Sequence, residues 1–235
     1  MTAKVATPKS RGIIFTAESI RSIQAGTKTQ TRRIVKPGKY ALSDVDGYSY
    51  NGQSLVKERG NVASIYPVPP CPFGGAGDHL WVREGLVEVC GQGWHYKADG
   101  KPIALAADDP RVPAMVAWAH HKETDRCSSR HMPRWASRIT LELVSVRVER
   151  LQDITEEDAK AEGVTLLDKP KLWDVADDDD WNSATKGNYM HSFGDPGTYL
   201  HAFRAAWHTI NGKRASWASD PWVWRLEFRK LEASP

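Results

Sequence analysis

The decapeptide Ile139-Thr-Leu-Glu-Leu-Val-Ser-Val-Arg-Val148 carries its apolar residues in two phases. Ile139, Leu141 and Leu143 share one face of an extended chain and Val144, Val146 and Val148 the other, because side chains alternate with a period of two. A one-residue slip inside a strand of about 137–150 predicts a β-bulge or bend, as found in small barrels.

Working outward, Thr155 opens a short helix at about 156–162, with Asp158 three residues on and Ile154 and Ala159 placed as a hydrophobic staple. A longer helix at about 197–210 presents Leu200, Phe203, Trp207 and Ile210 at helical spacing and stops at Asn211-Gly212. The last strand, 221–230, sets Trp222, Trp224, Leu226 and Phe228 on one face and Val223, Arg225, Glu227 and Arg229 on the other. Upstream, Gly77-Asp78 turns into a strand at about 79–90, and Gly12 to Phe15 reads as a short buried strand. A helix capped by Thr16 and closed by Gly26 follows it, then a strand at about 28–35 ended by Pro37-Gly38. Three polar stretches interrupt the pattern at about 38–76, 91–136 and 165–196; the first holds a stiff Pro67–Pro72 connector and the second a helix near 113–122. The expectation is a single α+β domain of 235 residues: a small bent β-barrel with flanking helices and large insertions.

Composition bounds the function. Hydrophobic residues at 40% and charged residues at 26% exclude disorder throughout. No apolar run approaches the roughly 18 residues of a membrane span, and the N-terminus has no apolar signal region. Three widely spaced cysteines, Cys71, Cys90 and Cys127, form no framework and suit a reducing cytoplasm. The net charge of +3 hides a dipole: residues 1–40 carry nine Lys/Arg against Glu18 alone, whereas residues 151–180 carry eleven acids against three lysines. The basic end suits phosphate. Ten tryptophans exceed both the Tyr and the Phe counts, an excess of flat amphipathic rings.

The usual phosphate, dinucleotide and serine-hydrolase signatures are absent. His121-Lys-Glu123 matches half of a zinc-deaminase motif, but the paired cysteines that should follow are missing. Cys90, His95, His120, His121, Cys127 and His131 are metal-ligand types, yet their spacing fits no zinc module, and no metal or other cofactor is expected.

The densest polar cluster is Gly26-Thr-Lys-Thr-Gln-Thr-Arg-Arg33. Lys28, Thr29, Thr31, Arg32 and Arg33 gather hydroxyls, a base and phosphate anchors; read without function, the same stretch is a solvated edge strand. Strict alternation puts Lys28 and Thr31 on opposite faces, so joint action requires Lys28 to lie in the turn before the strand. Glu162 breaks a local rule, since an acid in the last turn of a helix opposes the macrodipole; the alternative is an exposed Glu costing a few tenths of a kcal/mol. Trp81 and Trp135, beside Arg83, Arg134 and Arg138, suit base stacking, while Trp207, Trp222 and Trp224 fit a core. Trp94, Trp118, Trp173 and Trp181 fall in the insertions.

The order of a G-x-K-T-x-T-x-R strand, the Gly77-Asp-His-Leu-Trp-Val-Arg-Glu84 strand, His131-Met-Pro-Arg-Trp-Ala-Ser-Arg-Ile139, an L-x-x-I-T-x-x-x-A-x-x-E-G helix at 151–163 and Pro221-Trp-Val-Trp224 resembles the ASCH family, which has a PUA-like barrel fold. The resemblance covers about half the chain and is nearest to large phage and prophage ASCH proteins. Small bacterial members remove the acetyl group from 4-acetylcytidine, and their lysine, threonine and glutamate fall on Lys28, Thr31 and Glu162. The resemblance implies a metal-independent amidohydrolase acting on an acylated pyrimidine, free or in single-stranded or flipped-base nucleic acid. Lys28, Thr31 and Glu162 would be catalytic, and Thr29, Arg32, Arg33, Trp81, Arg83, Glu84, Arg134, Trp135 and Arg138 would bind substrate. Other members are thought to bind or cut RNA, which keeps open a non-catalytic reader of RNA or modified bases and a ribonuclease.

Overall fold

The computed structural model describes residues 7–36, 49–50, 54–59, 62–67, 70–90, 92–104, 109–111, 126–166 and 198–232. The expected helix near 113–122, the acidic run 177–180, His120, His121, Trp118, Trp173, Trp181 and nearly all of the third insertion lie outside them.

The fold is mixed α and β, with sheet predominating. Its strands are β1 (Ser10–Ile14), β2 (Gln30–Ile34), β3 (Ser49–Tyr50), β4 (Ser54–Arg59), β5 (Val62–Pro67), β6 (His79–Arg83), β7 (Leu86–Val89), β8 (Gly93–Tyr96), β9 (Arg126–Cys127), β10 (Thr140–Arg150) and β11 (Trp222–Leu231). The α-helices among the described residues are α1 (Ala17–Gln24), α2 (Glu156–Ala161) and α3 (Tyr199–Asn211). A five-stranded sheet runs in the order β1-β6-β10-β11-β2, and two three-stranded sheets in the orders β3-β4-β5 and β8-β7-β9. The barrel expected from the phase slip does not close, since β1 and β2 are edges of an open order. The chain divides into two compact units: 1–26, 71–146 and 227–235 in the first, and 27–70 and 147–226 in the second, so β10 and β11 each contribute to both.

In the first unit β1 pairs parallel with β6, Gly12 opposite Trp81, and β6 pairs antiparallel with the start of β10. A Cβ at Gly12 would stand 2.9 Å from the Trp81 ring, so only glycine lets that indole lie against β1. Ile13, Leu80, Val82, Leu141 and Leu143 are buried, as the alternation predicts. Val144, in contrast, is 53% exposed, so the strand slips to its second phase only by the buried Val148. The single strand expected over 79–90 is two: the chain breaks at Glu84-Gly85, and β7 joins β8 and β9 instead. Leu86, Trp94, Tyr96, Cys127, Met132 and Ala136 form the core beside that second sheet. Trp94, unplaced by sequence, is therefore a core ring.

In the second unit, α2 and α3 pack Leu151, Ile154, Ala159, Phe203, Trp207 and Val223 into one cluster, with Trp217 against it. Ile154 and Ala159, the predicted staple, meet there. Each large side chain so buried contributes about 1.5–3 kcal/mol. On α3 the buried set is Ala202, Phe203, Ala205 and Trp207, while Ile210 is 54% exposed. Ile210 lies in the last turn, where the helix has run past its packing partner. Both faces of β11 are buried through Leu226: Val223 packs into the cluster of α2 and α3, and Arg225 on the same face reaches Asp158 of α2. The first insertion holds β4 and β5 as an antiparallel hairpin, Ser54 opposite Pro67.

Candidate functional site

Lys28 precedes β2 and joins the network of Gln30 and Arg32, whereas Thr31 falls on the other face of the strand by alternation. The chain is tied there to the end of α2: Thr29 N–H donates to the Ala161 carbonyl at 2.8 Å, and Lys28 and Glu162 form an isolated antiparallel bridge. Glu162 is the C-cap of α2, and Gly163 follows in the left-handed region at φ +74°, a conformation glycine adopts without strain and the usual way to end a helix. The acid that opposes the macrodipole is held in place by its cations.

The Lys28 ammonium donates to the Glu162 backbone carbonyl at 2.6 Å and to its Oε2 at 2.8 Å. Lys28 and Glu162 are each only about 5% exposed at their side chains. Arg32 donates from Nη1 to Glu162 Oε1 at 3.1 Å, from Nη2 to Asp158 Oδ2 at 3.0 Å and from Nε to Glu149 Oε1 at 2.9 Å. Arg225 donates from Nη2 to Asp158 Oδ1 at 2.6 Å and from Nε to Gln30 Oε1 at 2.8 Å, and Gln30 Nε2 donates to Asp158 Oδ1 at 3.1 Å. Arg33 acts by its charge on both Lys28 and Glu162.

Burial lowers the Lys28 pKa, since the ammonium loses its hydration; Glu162 pulls it back up and Arg33 and Arg32 push it down again, leaving it below the ordinary 10.5. Burial likewise lowers Arg33 and raises Glu149. The arrangement shifts a lysine toward its neutral, basic form while fixing it by two hydrogen bonds.

The sequence expectations divide between the units. Lys28, Thr29, Thr31, Arg32, Arg33 and Glu162 belong to the second. Thr31 is buried, on the face of β2 opposite Gln30 and Arg32 by alternation, and Thr29 is exposed. Arg32, expected to anchor phosphate, is instead turned inward with a fully buried side chain and three carboxylate partners. Trp81, Arg83, Glu84, Arg134, Trp135 and Arg138 belong to the first unit. There Arg83 lies over the Trp81 ring at 4.8 Å and Arg111 over Trp135 at 5.1 Å, while Arg134 donates to Ser10. Cations therefore already sit against the rings expected to stack bases. Arg138 grips Glu84 with both hydrogen bonds of a bidentate pair, 2.8 and 2.9 Å, donates to Asp99 at 2.9 Å and stacks on Tyr96.

Sequence reading missed Gln30, Glu149, Asp158 and Arg225. Asp158 read as part of a helix start, and its backbone N–H does donate to Thr155 Oγ1, but its carboxylate turns to Arg32 and Arg225. The available signal was Arg225, a cation set among Trp222, Val223, Trp224 and Leu226. Among the described residues no group of three or more His, Cys, Asp or Glu is placed to hold a metal ion, and no helix is long and apolar enough to cross a membrane. The three cysteines are free thiols.

No protein-family model matches the chain, and neither does any curated protein or solved structure.

Proposed function

We propose that the chain is an ASCH-type hydrolase of PUA-like fold that removes an acyl group from the exocyclic amine of a modified pyrimidine, in a nucleoside or in nucleic acid. One observation carries this reading: a buried lysine with a lowered pKa, held by two hydrogen bonds to a buried glutamate that Arg32 also grips. A neutral Lys28 Nζ takes the proton from Thr31 Oγ1 or from a water as that oxygen attacks the acyl carbon. Arg33, whose charge acts on Lys28 and Glu162, favours the oxyanion that develops. The proton on Lys28, steadied by Glu162, passes to the leaving amine as the C–N bond breaks, giving a carboxylic acid and the free amine. If Thr31 attacks, a water then hydrolyses its ester by the same route. Arg32 acts by holding Glu162, and Asp158 by holding Arg32, with Arg225 on its other oxygen.

The test is turnover of 4-acetylcytidine and related N-acyl cytidines by the full chain, followed chromatographically as release of cytidine. Release that disappears in Lys28→Met supports the proposal; no release from any of them, or an unaffected Lys28→Met, overturns it. Thr31→Val separates the two attacks, since a nucleophilic Thr31 is essential and a merely neighbouring one is not.

A further inference from the structure

The first unit holds a cavity of about 600 Å³, lined by residues of that unit alone. That is within the range of small-molecule sites. We infer that this cavity is a binding site for a nucleoside 5′-monophosphate, with the base inward against Glu84 and the phosphate outward between Lys97 and Arg126.

The cavity changes polarity from its deep end to its mouth. Glu84 lines it yet is 1% exposed, so its carboxylate marks the deep end. Arg138 holds that carboxylate from one side by the bidentate pair, which fixes its plane and leaves lone pairs for a second donor. A carboxylate at the deep end favours a hydrogen-bond-donating edge such as the amino and imino groups of a base. Ile20, Leu86 and Ala98 are buried apolar walls suited to a flat ring. The exposed lining residues are of opposite character: Lys97 and Arg126 bring positive charge, with the Ser128 hydroxyl and the His131 ring beside them. A ligand with N–H donors at one end and an anion at the other matches that gradient. This inference does not depend on the hydrolase reading, whose residues lie in the second unit.

The experiment is calorimetric titration of the full chain with the four nucleoside 5′-monophosphates, the matching nucleosides and inorganic phosphate, on the parent protein and on Lys97→Ala, Arg126→Ala and Glu84→Gln. Lys97 and Arg126 are exposed, so their variants report on binding without a folding defect. Expected is binding of at least one monophosphate, weakened roughly three- to tenfold by Lys97→Ala and by Arg126→Ala. Those two variants should leave binding of the bare nucleoside and release of cytidine from 4-acetylcytidine unchanged. Glu84→Gln, checked for a folded state by circular dichroism, should change the rank order among bases. The inference is overturned by absence of monophosphate binding up to millimolar concentration, by inorganic phosphate binding as well as the nucleotides, or by monophosphate affinities unmoved in both Lys97→Ala and Arg126→Ala.

Discussion

Arginine grips carboxylates in both units, to different ends. Around Arg32 the second unit closes a shell: Glu149, Asp158 and Glu162 take its donors, and Lys28, Gln30 and Arg225 complete the set beneath the surface. Around Arg138 the first unit leaves an opening, with Glu84 at the floor of a cavity and the guanidinium partly exposed. A closed shell sets the protonation of a group inside it, because desolvation is uncompensated by water. An open one keeps lone pairs ready for something that arrives.

The comparison breaks first at Arg32. Arg32→Met leaves three carboxylates short of a cation, and removing one partner of a buried ionic set costs about 3–5 kcal/mol. Urea unfolding should show a loss of that size, and one below about 1 kcal/mol would mean that water reaches the cluster. Lys28→Met should cost less, because it removes a desolvated ammonium and leaves Glu162 paired with Arg32. Cytidine release should fall by about a hundredfold or more, the usual range for loss of a general base.

Glu84→Gln sharpens the open half. Trading a charge-assisted bidentate pair for an amide should cost about 1.5–3 kcal/mol in thermal unfolding, less than Arg32→Met because Arg138 keeps Asp99 and access to water. The pH dependence separates the halves again. Lys28 has its pKa lowered in the fold, so the unfolded chain binds more protons between the folded value and 10.5; stability should rise with pH across that window, and the rise should vanish in Lys28→Met. Activity should climb with pH over the same limb. The smallest effect belongs to the exposed pair of Arg229 and Glu142, whose arginine side chain is 68% exposed; Arg229→Ala should cost under about 1 kcal/mol and less in high salt.

Much of this was legible in one dimension. Thr155 caps α2 and Thr16 caps α1 as read, since each hydroxyl accepts a backbone N–H three residues on, a bond that needs only local chain. Lys28 stood out as part of the densest polar cluster, and Glu162 because an acid at a helix end breaks a local rule. The inward role of Arg32 and Arg225 did not stand out, because one read as a phosphate anchor and the other as one residue of an alternating strand, and only packing against Asp158 turns both into the cluster. Glu84-Gly85 read as the middle of one strand, since only the Arg138 pair and a different set of neighbours end it there.

What the sequence determined by itself is local: which segments extend or coil, where helices begin and end, and which residues carry unusual chemistry for their place. Tertiary structure alone decided which charges meet. Lys28 and Glu162 are 134 positions apart and Gln30 and Arg225 are 195 apart, and no periodicity reaches that far. The pKa of Lys28 is likewise a property of the fold, because desolvation exists only once other segments have displaced the water around it.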